Sequence, residues 1–144
     1  MIAVLLGRKH SAPGRNAMRW MLAGLAVWAF CYAMITLSPS LDAKKFWLKM
    51  ENIGILTVPA LWLIFTVQYA QVDRWLNKYT GALLFVIPLI SLILLFSNDW
   101  FHYFYSAVRP ASESGGPLII ERGPWYLVAA IQAYLFNLIG MGVL

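Results

Sequence analysis

Four long runs of apolar residues, separated by short polar stretches, dominate the chain. They cover residues 17–37, 46–71, 79–97 and 124–144, and few charged positions interrupt them. A helix needs about 20 apolar residues to cross the roughly 30 Å hydrocarbon core of a bilayer. The pattern therefore predicts four membrane-spanning helices, with one longer outer loop at 98–123.

The loop at 98–123 contains two β-prone runs around a turn-rich stretch. The run YFYSAV precedes RPASESGGP, and LIIER follows it. This order predicts a short hairpin, which needs something to pack on because a lone hairpin is marginally stable. The predicted fold class is an all-α membrane protein, a polytopic transmembrane helix bundle with a short extracytoplasmic β-hairpin over its outer mouth.

The two ends of the chain are interpreted as truncated. MIAVLL, residues 1–6, is too short to span a membrane and leads directly into basic residues, as the last turns of an earlier helix would. The final run reaches Leu144 without a turn signal or a basic flank. We expect residues 1–144 to form a single transmembrane domain that continues on both sides.

Composition supports the membrane interpretation, since 61% of residues are hydrophobic and only 12% are charged, against about a quarter in soluble domains. The net charge of +5 does not indicate nucleic acid binding, because the basic residues stand at the ends of apolar runs rather than along one face. Their distribution predicts which ends are cytoplasmic. The basic residues on that side are Arg8, Lys9, Arg15, Arg19, Arg74 and Lys78.

The second apolar run carries Lys49, Glu51 and Asn52 near its start. At 100° per residue, two opposite stripes separate in chemistry. The aromatic stripe, expected to face other helices, contains Trp47, Glu51, Val58, Trp62, Phe65 and Tyr69. The aliphatic stripe, expected to face lipid, contains Lys49, Ile53, Leu56, Ala60, Ile64 and Val67.

Glu51 is thus expected to point inward near the outer membrane boundary. Two interpretations stay open for this carboxylate. It is either an interfacial group that touches water and pairs with Lys44 or Arg122, or a group that senses a ligand or a proton.

An outer cavity between these helices would have aromatic walls and a few polar groups, as ligand pockets do. The candidate ligand-binding residues are Trp28, Tyr32, Trp47, Glu51, Asn52 and His102. Catalytic and metal sites are not predicted, because His10 and His102 fall on opposite sides of the membrane and Cys31 is the single cysteine. No cofactor is expected for this segment, and the segment is not expected to be an enzyme.

One long stretch carries a family resemblance, LAVWAFCYAMITLSPSLDAKKFWLKMENIGILTVPALWLIFTVQYA, followed by SNDWFH and IIERGPWY. The helix lengths, the Phe46-Trp47 pair, Pro59 and the loop ending in Gly-Pro are jointly unusual. This succession resembles the N-terminal seven-transmembrane sensor region of bacterial histidine kinases.

The resemblance implies that the four runs are helices two to five of that region and that a cytoplasmic kinase follows. The expected function is a sensory input module in the bacterial inner (plasma) membrane. It would detect a small-molecule or membrane-borne signal and pass it to the cytoplasmic output domain, within a homodimer. The full-length protein would then be a histidine kinase.

Two competing functions are weighed against this one. A fragment of a small-molecule transporter or permease would be expected to show an internal repeat and polar residues near the membrane midplane. Here no repeat is visible and the polar residues crowd the outer ends of the runs. A membrane-embedded enzyme would need a cluster of acidic, basic or metal-binding side chains, and the sequence shows no such cluster.

Overall fold

The computed structural model of the protein describes residues 13–111 and 117–144. The predicted helix remnant at 1–6 and His10 lie outside the described residues. Six α-helices and two strands follow one another along the described chain. They are α1 Arg15–Leu37, α2 Leu41–Tyr69, α3 Lys78–Leu84, α4 Val86–Phe96, α5 Asn98–Phe101, β1 Tyr105–Pro110, β2 Leu118–Arg122 and α6 Pro124–Val143.

Four helical segments are long and apolar enough to cross a membrane. They are Arg15–Leu37, Leu41–Tyr69, Lys78–Phe96 and Pro124–Val143. The second begins at Leu41 rather than at the predicted residue 46, because Ser40 caps it: the Ser40 hydroxyl accepts a hydrogen bond from the Ala43 N–H at 3.3 Å. The chain is thus mostly helical, with four candidate membrane-spanning helices and one small sheet.

The third segment is divided into α3 and α4 at Phe85. Pro88 explains the division, because proline has no N–H to donate to the carbonyl four residues earlier. The carbonyl in question belongs to Leu84, where α3 ends. By contrast, α2 continues through Pro59 without a break.

Helix α2 occupies the centre of the fold. It packs against α1, α4 and α6, and β1 contacts its N-terminal half through the bond between Tyr105 and Asn52. Leu56, Ala60 and Val67 of the aliphatic stripe are buried, so the prediction that these three face lipid was wrong. Lys49, Ile53 and Ile64 of the same stripe are partly buried. The prediction assumed that α2 lies at the edge of the bundle, with one face toward lipid. Because α2 is instead packed against α1, α4 and α6, its apolar residues contact other helices.

Helices α1 and α2 approach closely at a pair of glycines. A Cβ atom added to Gly54 would collide with the carbonyl oxygen of Gly24 and lie 3.1 Å from the backbone nitrogen of Trp28. Small residues permit such close crossings of membrane helices. The crossing brings Trp28 to the side of α2 that carries Glu51.

The predicted hairpin is confirmed. Strands β1 and β2 pair antiparallel, with Val108 opposite Ile120 and an irregularity between Tyr105 and Ala107. The hairpin packs on a hydrophobic core shared with the helices, which supplies the support that an isolated hairpin lacks. The buried members of this core are Leu48, Leu56, Leu95, Phe104, Tyr105 and Ala129.

Candidate functional site

Asn98 connects α5 to the start of the hairpin. Its Oδ1 accepts hydrogen bonds from the backbone N–H groups of Phe104 and Tyr105, both at 2.9 Å. Its Nδ2 donates to the Tyr105 carbonyl oxygen at 2.9 Å. One buried side chain thus satisfies three backbone groups at the start of β1, which would otherwise be unpaired away from water.

Tyr105 connects the hairpin to α2. Its ring packs edge-on against Phe104 and tilts against Tyr126. Its hydroxyl accepts a hydrogen bond from Asn52 Nδ2 at 3.0 Å. Burial raises the pKa of the Tyr105 phenol well above its ordinary value, because the charged form is poorly solvated there. The phenol is therefore neutral at physiological pH and available for hydrogen bonding.

A cavity of about 620 Å³ lies between the hairpin, the C-terminal part of α1 and the N-terminal half of α2. That volume is within the range that small-molecule sites occupy. We call it the outer cavity, because this end of the helices is the one predicted to be extracytoplasmic. Six of the twelve described residues that line the cavity are apolar, and the other six carry polar groups. The polar side chains in its lining are Tyr32, Thr36, Lys44, Glu51, Asn52 and Tyr105.

Glu51 is the buried acid of this cavity, with 6% of its surface exposed. Its Oε1 accepts a hydrogen bond from the Trp28 indole Nε1 at 2.8 Å, across the α1–α2 crossing. Arg122, one of the two cations predicted to pair with Glu51, instead lies over the Tyr126 ring at 4.8 Å. Lys44, the other, is buried and lines the same cavity as Glu51.

The outer cavity adjoins a groove between α1 and α2. The groove has a volume of about 570 Å³ and shares Tyr32, Glu51 and Ile55 with the cavity. Its remaining lining residues are Leu25, Trp28 and Ala29. Glu51 therefore faces both the cavity under the hairpin and the side of the helix pair.

The predicted site residues are only partly brought together. Tyr32, Glu51 and Asn52 line the outer cavity, and Trp28 reaches it through its hydrogen bond to Glu51. Trp47 does not line this cavity, because its ring packs edge-on against those of Phe30 and Phe46.

His102 lies apart from the outer cavity. It ends α5 in the left-handed backbone conformation, with φ of 54°, and its side chain is exposed. It borders a smaller cavity of about 280 Å³ that also contacts Lys49 and Asp99, which form an ion pair at 2.6 Å. The structure thus separates His102 from Glu51 and Asn52.

The sequence interpretation did not place Asn98 or Tyr105 in the site. Asn98 directly follows an apolar run, where a polar residue is ordinary, and Tyr105 is one of several aromatic residues in a β-prone run. Among residues 13–111 and 117–144, no group of three or more His, Cys, Asp or Glu side chains could hold a metal ion.

Comparison with known proteins identifies the chain at the level of a family. No curated protein matches it, and no solved structure does. The family model described as the N-terminal 7TM region of histidine kinase matches residues 1–144, the whole chain. The chain therefore belongs to the family of N-terminal seven-transmembrane regions of histidine kinases.

Proposed function

We propose that this region is the sensory input module of a bacterial inner-membrane histidine kinase and that the cavity beneath the hairpin receives its signal. Membership of the family supports a membrane sensor with a cytoplasmic output domain. The observation that carries the location of the site is the buried Glu51 and Asn52 pair, which faces a cavity of about 620 Å³. Glu51 is bonded by Trp28 and Asn52 by Leu48 and Tyr105, and a bound molecule with polar groups can replace these protein partners.

The hairpin and α2 form a route by which occupancy of the cavity reaches the other end of the module. Tyr105 lines the cavity, is held by Asn98 through its backbone and bonds Asn52 through its hydroxyl. A ligand that bonds Asn52 or Tyr105 competes with this contact. It therefore favours a different arrangement of hairpin and helix, which is how differential binding shifts a conformational equilibrium.

Helix α2 extends from this contact toward the cytoplasmic side. Its 29 residues give a length of about 43 Å at 1.5 Å per residue, longer than the roughly 30 Å hydrocarbon core. Because α2 is one continuous helix, a change in its tilt or rotation at Asn52 also displaces Tyr69 at its other end. In the proposed homodimer, this motion alters the packing that the attached cytoplasmic domain experiences.

The test is a substitution in the full-length protein. Glu51→Gln keeps the size of the side chain and removes its charge, so membrane insertion should be unchanged while autophosphorylation shifts by several-fold, either in the basal state or across a panel of stimuli. Glu121→Gln is the matched control, since Glu121 is an exposed carboxylate paired with Arg109 on the hairpin. If Glu51→Gln and Glu121→Gln both behave like the unmodified protein, Glu51 is not part of the signal-receiving site.

A further inference from the structure

The depth of Glu51 in the membrane is set by its position in α2. It lies 18 residues before Tyr69, which corresponds to about 27 Å along the helix axis. With Tyr69 at the cytoplasmic boundary of the hydrocarbon, Glu51 reaches the outer boundary of a core that is about 30 Å thick. At this depth, the polar headgroup of an amphipathic molecule in the bilayer joins its alkyl chain.

The polar end of the α1–α2 groove combines a carboxylate with two aromatic rings. Trp28 and Tyr32 lie one helical turn apart on α1, and 42% and 63% of their surfaces are exposed. Among the contacts of the described residues, the one hydrogen bond to the Glu51 carboxylate comes from Trp28, although a carboxylate offers about four acceptor positions. Trp28 presents the N–H edge of its indole to the acid, and Tyr32 lines the same groove. A buried acid with two aromatic rings beside it is complementary to an organic cation.

The deeper end of the groove is apolar. Ile55 lies one turn below Glu51 on α2, and Leu25 lies about 10 Å below Tyr32 along α1. Ala29 leaves room between them, because its side chain is a single methyl group. The groove therefore changes from charged and aromatic to aliphatic in the direction that runs from the headgroups into the hydrocarbon.

We infer that this groove binds a single-chain cationic amphiphile, with its ammonium group at Glu51 between Trp28 and Tyr32 and its alkyl chain along Leu25, Ala29 and Ile55. The inference rests on the proposed sensory function, to which it adds the chemical class of the signal. An anionic amphiphile would place its charge against the Glu51 carboxylate. A phospholipid would place its phosphate beside the same carboxylate, which disfavours it relative to a simple amine.

The probe is dodecyltrimethylammonium, added to the full-length protein in dodecyl maltoside micelles, whose headgroup is neutral. Dodecanoate, with the same chain length and the opposite charge, is the control amphiphile. Binding is measured with radiolabelled probe and by the shift of the thermal unfolding midpoint, because a ligand selective for the folded state raises it. We expect dodecyltrimethylammonium to bind the unmodified protein saturably. Dodecanoate should bind it much more weakly.

Two substitutions in the groove separate charge from ring contacts. Glu51→Gln should weaken probe binding at least ten-fold, and Tyr32→Leu, at an exposed position where folding is little at risk, should weaken it several-fold. Glu121→Gln, which removes an exposed carboxylate on the hairpin, should bind the probe like the unmodified protein. Equal affinity of the unmodified protein and Glu51→Gln, or equal binding of dodecanoate, overturns the inference.

Autophosphorylation measured on the same preparations distinguishes the two proposals. If Glu51→Gln alters autophosphorylation but the probe does not bind, the sensory site stands and the cationic ligand class is wrong. If the probe binds in a Glu51-dependent manner but neither the probe nor Glu51→Gln changes autophosphorylation, the groove is a binding site and the sensory role is refuted.

Discussion

Removal of the Asn98 side chain should release the outer hairpin from the helices. In Asn98→Ala, the N–H groups of Phe104 and Tyr105 and the carbonyl of Tyr105 lose their hydrogen-bond partner together. These groups lie at the start of β1, beside the ring of Tyr105 that bonds Asn52. We expect the contact between hairpin and α2 to open far more often, while the helices remain in the membrane.

The magnitude follows from the three lost hydrogen bonds. A buried polar group left unpaired costs about 1–3 kcal/mol, and opening of the hairpin lets water relieve part of that penalty. Taking the lower limit for each group gives about 3 kcal/mol for the local opening equilibrium. At 1.4 kcal/mol per factor of ten, this corresponds to a roughly 100-fold loss of protection against hydrogen exchange.

The assay is hydrogen exchange detected by mass spectrometry on the full-length protein in lipid nanodiscs, read on peptides that contain Phe104 and Tyr105. Asn98→Asp should lie between the unmodified protein and Asn98→Ala, because it retains the two acceptor bonds and loses the donor. The control is Asn137→Ala, since the exposed Asn137 donates to the Ala133 carbonyl of its own helix and, among the described residues, makes no hydrogen bond to the hairpin. Unchanged protection in Asn98→Ala, or an equal loss in Asn137→Ala, would refute this account of hairpin docking.

Two further predictions concern the helix crossing and the buried phenol. Gly54→Ala places a methyl group against the α1 backbone and should destabilise the protein by about 1–3 kcal/mol, seen as a lower thermal unfolding midpoint. The matched Gly81→Ala, whose Cβ meets nothing within 4 Å, should be neutral or slightly stabilising because alanine favours helix. Tyr105 has a raised pKa in the folded state, so its contribution to stability is present below the ordinary tyrosine pKa of about 10 and is lost as pH rises above it. Unfolding midpoints between pH 9 and 11 should therefore fall more steeply in the unmodified protein than in Tyr105→Phe, and equal slopes would contradict the assignment.

Hydropathy alone predicted the four long helices, since a backbone in lipid must satisfy its own hydrogen bonds and does so here as helices. It did not predict which helix is central. Leu56 and Val67 are apolar, and lipid tails are as apolar as a protein interior, so their type carries no information about which of the two surrounds them. The central position of α2 depends on the packing of α1, α4 and α6 around it, which a single helix does not encode.

The candidate site was predictable where polar residues interrupt an apolar run. Glu51 and Asn52 stand out in this way, and both are buried at the outer cavity. Tyr105 was not predictable, because its bond to Asn52 joins residues 53 positions apart and exists only once the hairpin has docked. Trp47 was expected in the site as one aromatic residue among several, but its ring packs against those of Phe30 and Phe46 instead.

Under the proposed function, the α1–α2 crossing lies between the contact that a ligand would displace and the predicted cytoplasmic end of α1. Trp28 lies about 6 Å along α1 on the outer side of Gly24, whereas Arg15 lies about 13 Å on the inner side. Suppose that α1 pivots at Gly24 when a ligand displaces Trp28 from Glu51. The inner end of α1 would then move about twice as far as Trp28, because it lies about twice as far from the pivot. Next to that end, a Cβ atom on Gly14 would lie 2.9 Å from the Phe65 ring of α2, so such a motion of α1 would press on α2 there. A sensor with its binding groove beside this crossing can thus report a small outer displacement as a larger inner one.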